Sequence, residues 1–284
     1  MAIATKKETF ALLEKYGLIA KKGYGQNFLI NHSTILNIVN GCEISEKTLV
    51  IEIGPGLGAL TQELLNVSKQ VIAIEIDKKM VEVLSNNFSA FNNLKIINND
   101  FMKVDLTELI EQYPEYDEVV IASNLPYYIT SDILEKIISL KHPKIKRIVA
   151  MMQKEVGKKL LKKEDKIESY LKVLIDNYCT VSTVMYVSKN DFEPRPKVDS
   201  IVLDFKIDKD VYLLDYYFFE IIKECLLNRR KTLINTLVCE NKENIGKIFE
   251  KLQFKPTIRI EELKIKEFQS IVNELKMLKN KEEQ

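Results

Sequence analysis

The sequence predicts an α/β protein with a mostly parallel sheet of about seven strands and helices on both of its faces. Short, almost continuously apolar runs alternate with helical patterns through residues 1–208, and a glycine-rich turn follows one of the first runs. Beyond that point only helical periodicity remains. We therefore predict a sheet-containing domain over residues 1–208 and a small helical domain over residues 209–284.

Residues 1–22 are predicted to form a helical extension at the N-terminus of the first domain. Thr5 followed by Glu8 has the pattern of a capping box at a helix start. The segment lacks the apolar core and the cleavage site of a signal peptide, and no run reaches the roughly 18 apolar residues of a membrane span. We expect a cytoplasmic protein with no membrane partner.

Apolar composition predicts the strands of the sheet. Five runs separated by helical patterns are expected to pair in parallel: residues 48–53, 70–76, 94–98, 118–122 and 146–152. Two further runs, at residues 180–188 and 200–207, have no good helical pattern between them, so an antiparallel pair is expected to close one edge. The second domain is expected to contain helices within residues 211–230, 231–240, 244–253 and 264–278.

Composition excludes several classes of site. The formal net charge is +1, so any nucleic-acid binding must depend on local basic patches. The two histidines, His32 and His142, have no second histidine or cysteine at ligand spacing, so we expect neither a metal site nor a histidine-based triad. The four cysteines show no CxxC spacing and are expected to be reduced thiols of the core: Cys42, Cys179, Cys225 and Cys239.

The stretch IEIGPGLGAL joins a predicted strand to a helix and predicts a site for a nucleotide-like cofactor. Gly54, Gly56 and Gly58 allow a tight turn and a close approach to a ligand, and the helix start behind them offers free N–H groups. Glu75, at the end of the next strand, can accept hydrogen bonds from ribose hydroxyls. Asp100, at the end of the third strand, can contact the amine of an adenine ring. An adenosine-containing cofactor is therefore predicted.

The glycine loop alone does not identify that cofactor. Gly54, Gly56 and Ala59 also satisfy the looser dinucleotide pattern, which keeps a nicotinamide-dependent oxidoreductase open as an alternative. A purely structural strand-to-helix turn is a second alternative. The third glycine, the acidic Glu52 before the loop and the expected edge pair favour S-adenosylmethionine.

The stretch SNLPYYIT follows the run at residues 118–122 and predicts chemistry on an amine. Ligands of open α/β sheets bind at the carboxyl ends of the strands, which places Asn124 beside the cofactor. The Asn124 amide oxygen and the Leu125 carbonyl, held by Pro126, can accept both protons of an exocyclic nucleobase amine. Tyr127 offers a face on which a flipped base can stack. The alternative is a polar strand end followed by an ordinary proline turn.

Together these motifs resemble the rRNA adenine N(6),N(6)-dimethyltransferase family over about residues 18–278. Within that family the chain resembles the KsgA (RsmA) branch, which modifies small-subunit rRNA. Further matching stretches are GYGQNFLI (23–30), MMQKEVGKKL (151–160), DFEPRPKVDSIV (191–202), NRRKTLINTL (228–237) and IRIEELKIKEF (258–268). The RRKTL and PKVDS stretches belong to this branch rather than to the macrolide-resistance enzymes that modify large-subunit rRNA.

The resemblance implies a class I methyltransferase (Rossmann-like) sheet and transfer of two methyl groups to each of two adjacent adenosines in the 3′-terminal hairpin of small-subunit rRNA. It implies that the cofactor contacts a set of seven residues: Asn27, Leu29, Gly54, Gly56, Glu75, Asp100 and Asn124. Phe192 falls where the family has a second aromatic residue against the target base, with a core phenylalanine as the alternative. Tyr128 is bulkier than expected after the motif, which puts the width of the pocket in question.

Basic stretches are the candidates for RNA binding. Arg229, Arg230 and Lys231 are the favoured set and are expected to open a helix of the second domain. Residues 141–147 and 158–163 are further candidates, and each stretch is alternatively a solvated surface. The expected partner is the small ribosomal subunit, bound by a monomer. The alternatives are the resistance-type reaction on large-subunit rRNA and a non-catalytic ribosome assembly factor.

Overall fold

The computed structural model describes residues 2–18, 26–163, 166–207 and 214–282. Residues 19–22 of the predicted extension, residues 23–25 of the GYGQNFLI stretch and the predicted domain boundary at 208/209 lie outside the described residues. The helices are α1 (Lys6–Lys15), α2 (His32–Gly41), α3 (Ala59–Val67), α4 (Lys78–Asn87), α5 (Leu106–Glu111), α6 (Thr130–Leu140), α7 (Lys154–Leu161), α8 (Tyr170–Tyr178), α9 (Tyr216–Leu227), α10 (Lys242–Lys251) and α11 (Ile265–Glu282). The strands are β1 (Phe28–Leu29), β2 (Thr48–Ile53), β3 (Gln70–Glu75), β4 (Leu94–Asn98), β5 (Glu118–Asn124), β6 (Ile145–Gln153), β7 (Cys179–Val187), β8 (Phe192–Glu193) and β9 (Ser200–Ile207).

The main sheet has seven strands in the order β4-β3-β2-β5-β6-β9-β7. The neighbours from β4 to β6 pair in parallel, and β9 pairs antiparallel with β6. The predicted α/β class is confirmed, with β9 lying between β6 and the edge strand β7. Because β3 lies on one side of β2 and β5 on the other, the loops after β2 and β5 leave the sheet at the point where the strand order reverses. Open α/β sheets bind ligands at that point.

Burial explains why the central strands are almost continuously apolar. All residues of β2 are buried, and Leu49, Val50 and Ile51 have no exposed surface. Both faces of a parallel sheet are covered, so both sets of alternating side chains must be apolar. Full burial of one such side chain contributes roughly 1.5–3 kcal/mol to stability.

The N-terminal helix begins where its sequence predicts. The Thr5 hydroxyl accepts a hydrogen bond from the Glu8 amide at 3.2 Å, which satisfies one of the free N–H groups of α1. Ile3 and Ala4, just before the cap, are buried in the core, and the Ile3 amide donates to the Gln62 side chain at 2.8 Å. The segment before α1 is therefore packed against the glycine-loop helix α3.

The chain divides into two compact units. The first comprises residues 1–161 and 180–208, and the second comprises residues 162–179 and 209–284. This grouping differs from the sequence-based division, which placed residues 162–179 in the first domain. The physical reason is aromatic packing, since Tyr178 of α8 stacks on Phe219 of α9 with ring centroids 5.3 Å apart.

The second unit is helical, with one correction to its predicted helices. Residues 231–240 contain a single 3-10 turn, Leu233–Asn235, instead of a helix. The Asn235 side chain donates to the Thr232 hydroxyl at 2.7 Å, and the Thr236 hydroxyl donates to a backbone carbonyl. Such local side-chain bonds compete with a continuous helix.

The cysteines differ in exposure. Cys42 and Cys225 are buried and Cys179 is half-buried, but Cys239 is exposed, so the prediction of a core thiol is wrong for Cys239. Burial raises the pKa of the Cys42 and Cys225 thiols to about 12, which keeps them protonated.

In the part of the chain that the structure describes, no group of three or more His, Cys, Asp or Glu side chains could hold a metal ion. Among the described helices, none is long and apolar enough to cross a bilayer.

Candidate functional site

A cavity lies where β2, β3, β4 and β5 end, within the first unit. Its wall contains the predicted cofactor residues and the whole NLPY motif: Asn27, Leu29, Gly54, Gly56, Glu75, Asp100, Asn124, Leu125, Pro126 and Tyr127. Parallel neighbours make this possible, because their carboxyl ends meet at one edge of the sheet. The structure therefore brings these predicted residues together.

The loop after β2 requires glycine at two positions, for different reasons. Gly54 has a φ of 64° and Gly58 a φ of 88°, both in the left-handed region that favours glycine. A Cβ at Gly54 would meet no atom within 4 Å, so this backbone is open to a ligand. A Cβ at Gly58 would lie 2.4 Å from the Phe88 ring, so the third glycine serves the packing of α3 against the end of α4.

The Glu75 carboxylate holds the glycine loop in place. Its Oε2 accepts a hydrogen bond from the Gly56 amide at 3.1 Å, and its Oε1 accepts one from the Asp77 amide at 2.8 Å. Burial raises the pKa of Glu75, and these two backbone hydrogen bonds oppose the rise. Each carboxylate oxygen has a further lone pair, so Glu75 can hold the loop and also accept from a hydroxyl group in the cavity.

Glu52 lies on β2 just before the glycine loop and lines the same cavity. Its side chain is only 2 % exposed, and its Oε2 has no hydrogen-bond partner among the described residues. Burial raises the pKa of Glu52 to about 8, the nearby Thr61 hydroxyl opposes the rise, and the Glu75 carboxylate adds to it. A cationic ligand next to Glu52 would favour the ionised form of this buried carboxyl group and offset its desolvation.

Asp100 follows β4 and caps a single 3-10 turn, Phe101–Lys103. One of its carboxylate oxygens accepts from the Met102 amide at 2.9 Å. The other oxygen keeps its capacity to accept from a ligand. Asn99 and Phe101 line the cavity beside Asp100, so this turn forms the wall of the site after β4.

One contact orients the Asn124 amide. Its Nδ2 donates to the Asn27 carbonyl at 3.3 Å. A carbonyl only accepts, so the amide nitrogen faces Asn27 and the amide oxygen is left as the acceptor toward a substrate. The next residue is also held, because the Leu125 amide donates to the Met151 carbonyl of β6 at 3.0 Å.

The second half of the NLPY motif is anchored on two sides. The Pro126 carbonyl accepts from the Ile129 amide at 3.2 Å and from the Thr130 hydroxyl at 3.0 Å, at the start of α6. It is therefore occupied within the motif, and the Leu125 carbonyl is the better candidate for a second acceptor. The Tyr127 hydroxyl lies 2.6 Å from the Ser200 hydroxyl of β9, and burial raises the pKa of Tyr127.

Phe192 lies outside this cavity wall, as far as the described residues define it. It pairs with Leu29 where β8 meets β1, is 2 % exposed and packs in the hydrophobic core. This position matches the alternative interpretation, a core phenylalanine. A contact between Phe192 and the target base stays a prediction.

The basic residues Arg229, Arg230 and Lys231 belong to the second unit and are all exposed. They lie in a turn after α9, which ends at Leu227, so the prediction that they open a helix is wrong. Cations just after a helix interact favourably with the negative end of its dipole. Their exposure leaves them accessible to phosphates, and RNA binding stays a prediction.

Sequence reasoning missed two parts of the cavity wall. Ile3 and Thr9, from the N-terminal segment, line the cavity although no motif marks them. Ile133 and Ile129, after the NLPY motif, line it as well. Each is an ordinary apolar or small residue of a helix or its flank, so only its position in the folded chain shows that it belongs to the site.

The chain is similar to known proteins along almost its whole length. A family model described as "Ribosomal RNA adenine dimethylase" matches residues 17–277. Relatives from Bacillus thuringiensis (strain Al Hakam) and Bacillus cereus (strain B4264), both named "Ribosomal RNA small subunit methyltransferase A", are 39 % identical over 96 % of this chain and 97 % of their own. A dimethyladenosine transferase from Plasmodium falciparum superposes with a TM-score of 0.67 at 25 % identity, covering 88 % of this chain and 97 % of that one. The 23S rRNA methyltransferase ErmE, with a TM-score of 0.61 at 22 % identity over 88 % of this chain and 100 % of its own, supports the fold alone.

Proposed function

The chain belongs to the ribosomal RNA adenine dimethylase family, and from that premise we propose that it dimethylates the exocyclic amines of two adjacent adenosines in the 3′-terminal hairpin of small-subunit (16S) rRNA. It is an S-adenosylmethionine-dependent rRNA adenine dimethyltransferase, and we propose a role in small-subunit biogenesis. One observation carries the proposal: a single cavity wall contains both the glycine loop with Glu75 and Asp100 and the NLPY motif with Asn124. The relatives named for the small subunit support the choice of substrate.

The residues of the cavity fit S-adenosylmethionine. Gly54 leaves open space beside its backbone, and the buried Glu52 carboxyl group can ionise next to a cationic ligand. Glu75 would accept from the ribose hydroxyls and Asp100 from the adenine amine, with Asn27, Leu29 and Gly56 completing the contacts. When bound, the cofactor supplies an electrophilic methyl group on a cationic sulfur.

Asn124 and Leu125 would prepare the attacking amine. The lone pair of an exocyclic adenine amine is delocalised into the ring, which makes it a weak nucleophile. If the Asn124 Oδ1 and the Leu125 carbonyl accept its two N–H protons, the lone pair is localised on the nitrogen and directed at the methyl group. Holding donor and amine in this geometry can contribute roughly 7–11 kcal/mol to lowering the barrier.

The same arrangement accommodates a second methyl transfer. The methylated amine is cationic and acidic, so water can take its proton and no strong general base is required. After one transfer the amine keeps a single N–H, which one of the two acceptors can hold. The side of the other acceptor must then have room for a methyl group. Tyr128, which lines the cavity and is 57 % exposed, directly follows the NLPY motif in the chain.

Tyr127 would stack on the flipped base. Its hydroxyl bond to Ser200 fixes the ring relative to the sheet, so the stacking surface is present before the base arrives. Stacking on an aromatic side chain contributes about 1–3 kcal/mol per base and offsets part of the cost of flipping. Phe192 would have to leave its buried position before it could contact the base.

RNA binding would involve both parts of the chain. We assign methyl transfer to residues 1–208 and RNA contacts to residues 209–284, where Arg229, Arg230 and Lys231 are exposed. Cations of this kind bind phosphates without reading sequence. The partner would be the small ribosomal subunit, bound in the cytoplasm by a monomer.

The test is methyl transfer from labelled S-adenosylmethionine, followed by digestion of the RNA and identification of the labelled nucleosides. The substrates are small subunits that lack adenine dimethylation and bare large-subunit rRNA. We expect dimethyladenosine on the small subunit alone. In the same assay Asn124→Ala is expected to abolish transfer while RNA binding persists, and Asn66→Ala, an exposed asparagine on α3, is the control that leaves transfer unchanged.

Three results would contradict the proposal. Label on the large-subunit RNA alone would assign the protein to the resistance-type reaction. Label on neither RNA, with the cofactor still bound, would favour an assembly factor without this activity. Normal dimethylation by Asn124→Ala would show that the amide is not the acceptor that activates the amine.

A further inference from the structure

Lys136 holds the turn that carries Asp100, and we propose that it is a positioning residue for the adenine side of the cofactor. The inference rests on the proposed function, because it concerns the same cofactor site. Lys136 lies on α6, the helix that begins just after the NLPY motif. The transfer mechanism itself requires no cation at this place, so the contacts of Lys136 call for their own explanation.

The ammonium group of Lys136 is bonded entirely to backbone. Its Nζ donates to the carbonyls of Phe101, Met102 and Val104, at 2.9, 2.9 and 2.6 Å. An ammonium group has three N–H donors, so these three acceptors use all of them. The same nitrogen lies 5.3 Å from the centre of the Phe101 ring, within the range of a cation–π contact.

Two of these carbonyls belong to the 3-10 turn Phe101–Lys103, and the third belongs to Val104, the residue that ends the turn. At the other end, Asp100 accepts from the Met102 amide. A one-turn helix has few internal hydrogen bonds, so the groups bonded to its two ends determine its conformation. A carboxylate at one end and an ammonium at the other therefore fix the turn, and with it the position of the Asp100 carboxylate in the cavity.

Lys136 thereby connects two walls of the same cavity. Residues 99–101 line it after β4, and the NLPY motif lines it at the start of α6. Ile133, one turn before Lys136 on the same face of α6, lines the cavity as well. The distance between the adenine-side wall and the motif is therefore set in part by the reach of one lysine side chain.

The experiment uses Lys136→Met, which keeps an apolar side chain and removes the three donors. Calorimetry would measure the dissociation constants of S-adenosylhomocysteine and of S-inosylhomocysteine, in which a carbonyl oxygen replaces the 6-amino group. The wild-type protein is expected to prefer the adenosine form, because Asp100 accepts from the amine. Lys136→Met is expected to weaken binding of the adenosine form by about tenfold or more and to bind the inosine form with little change. In turnover, the KM for S-adenosylmethionine should rise more than kcat falls.

Lys144 provides a matched control. It is half-buried like Lys136, and its Nζ donates to the carbonyls of Tyr113 and Pro114 at 3.3 and 3.4 Å. Neither of those two residues is part of the described cavity wall. Lys144→Met should therefore bind both ligands as the wild type does, even if its melting temperature falls. Lys136→Arg keeps a cationic donor and is expected to recover part of the preference for adenosine.

The outcomes separate the two proposals. Wild-type affinity and discrimination in Lys136→Met would overturn the positioning role. Equal weakening of both ligands would overturn it too, because a general structural defect does not distinguish one base from another. Failure of the wild-type protein to bind S-adenosylhomocysteine would instead contradict the proposed function.

Discussion

Glu52 is a buried carboxyl group with one oxygen that has no partner among the described residues. Burial raises its pKa from about 4.5 to about 8. The folded protein therefore keeps a proton on Glu52 at pH values where the unfolded chain has lost it. Each unit of difference between the folded and unfolded pKa corresponds to about 1.4 kcal/mol.

This difference predicts a pH dependence of stability. Between about pH 4.5 and pH 8 the folded state binds one proton more at Glu52 than the unfolded state, so the free energy of unfolding falls as pH rises through this window. Glu52→Gln has no proton to lose, so its free energy of unfolding should lack this decrease, which is of the order of a few kcal/mol in the wild type. Urea unfolding of both proteins from pH 5 to pH 9 measures the difference.

Glu46→Gln is the control for that series, because Glu46 is 86 % exposed and lies 3.4 Å from Lys69. Its stability curve should run parallel to that of the wild type. If the curve of Glu52→Gln were parallel as well, the Glu52 carboxyl would not be the group that titrates. Added S-adenosylmethionine should favour the ionised form of Glu52, since an adjacent cation stabilises a carboxylate.

At the scale of elements, one hydrogen bond joins the loop after β5 to the first residue of β9. Ser200 is fully buried and pairs with Gln153 at the end of β6. The Tyr127 hydroxyl reaches this residue at 2.6 Å. The ring proposed to stack on the base is therefore fixed to the antiparallel part of the sheet, and its position does not depend on the loop alone.

Two substitutions separate the anchoring of Tyr127 from its stacking. Tyr127→Phe keeps the ring but removes a partner of the buried Ser200 hydroxyl, so the free energy of unfolding should fall by about 1–3 kcal/mol. Tyr127→Ala also removes the ring. Its free energy of substrate binding should weaken by about 1–3 kcal/mol, approximately the contribution of one stacked base. Chemical unfolding and single-turnover methylation would measure the two effects.

Tyr128→Phe is the matched control, because Tyr128 is the neighbouring tyrosine and is largely exposed. Its stability should stay within about 0.5 kcal/mol of the wild type, as for most surface substitutions. If Tyr127→Phe were equally neutral, the bond to Ser200 would not be needed to hold the ring.

For the whole molecule, charge distribution matters more than net charge. The chain has 42 basic and 41 acidic residues, so it exerts little overall attraction on RNA. Binding must then depend on exposed local cations and on the shape of the substrate. Arg229, Arg230 and Lys231 are such cations, and they follow one another in a single turn.

Replacing all three with glutamine should weaken RNA binding and reduce its salt dependence. Each phosphate contact contributes about 0.7–0.9 to the slope of log K against log salt, so the slope should fall by about two to three. Filter binding at several salt concentrations would measure it. Lys247 and Lys251 are paired with glutamates at 2.7 and 2.8 Å, and replacing them should leave the slope unchanged. An unchanged slope in the triple variant would place the phosphate contacts elsewhere.

The sequence by itself determined the features that depend on neighbouring residues. The observed bounds of β2, β4 and β9 equal the predicted ones. The reason is clearest at β2, where burial of every residue requires an almost continuously apolar run, whereas β4 is only partly buried. The glycine loop, the Thr5 cap and the NLPY motif could be recognised in the sequence because each is defined by neighbouring residues. Parallel strand order then places the motifs at one edge, so the location of the site also followed from the sequence.

Only the tertiary structure decided the features that join distant residues. Asn124 and Asn27 are 97 positions apart, and their bond settles which atom of the amide can accept from a substrate. Lys136 reaches carbonyls more than 30 positions away, and Phe192 is buried opposite Leu29. Periodicity reports which face of an element is apolar but not which side chain lies across from it. The partners of Asn124, Lys136 and Phe192 are therefore determined by the tertiary structure and not by local sequence.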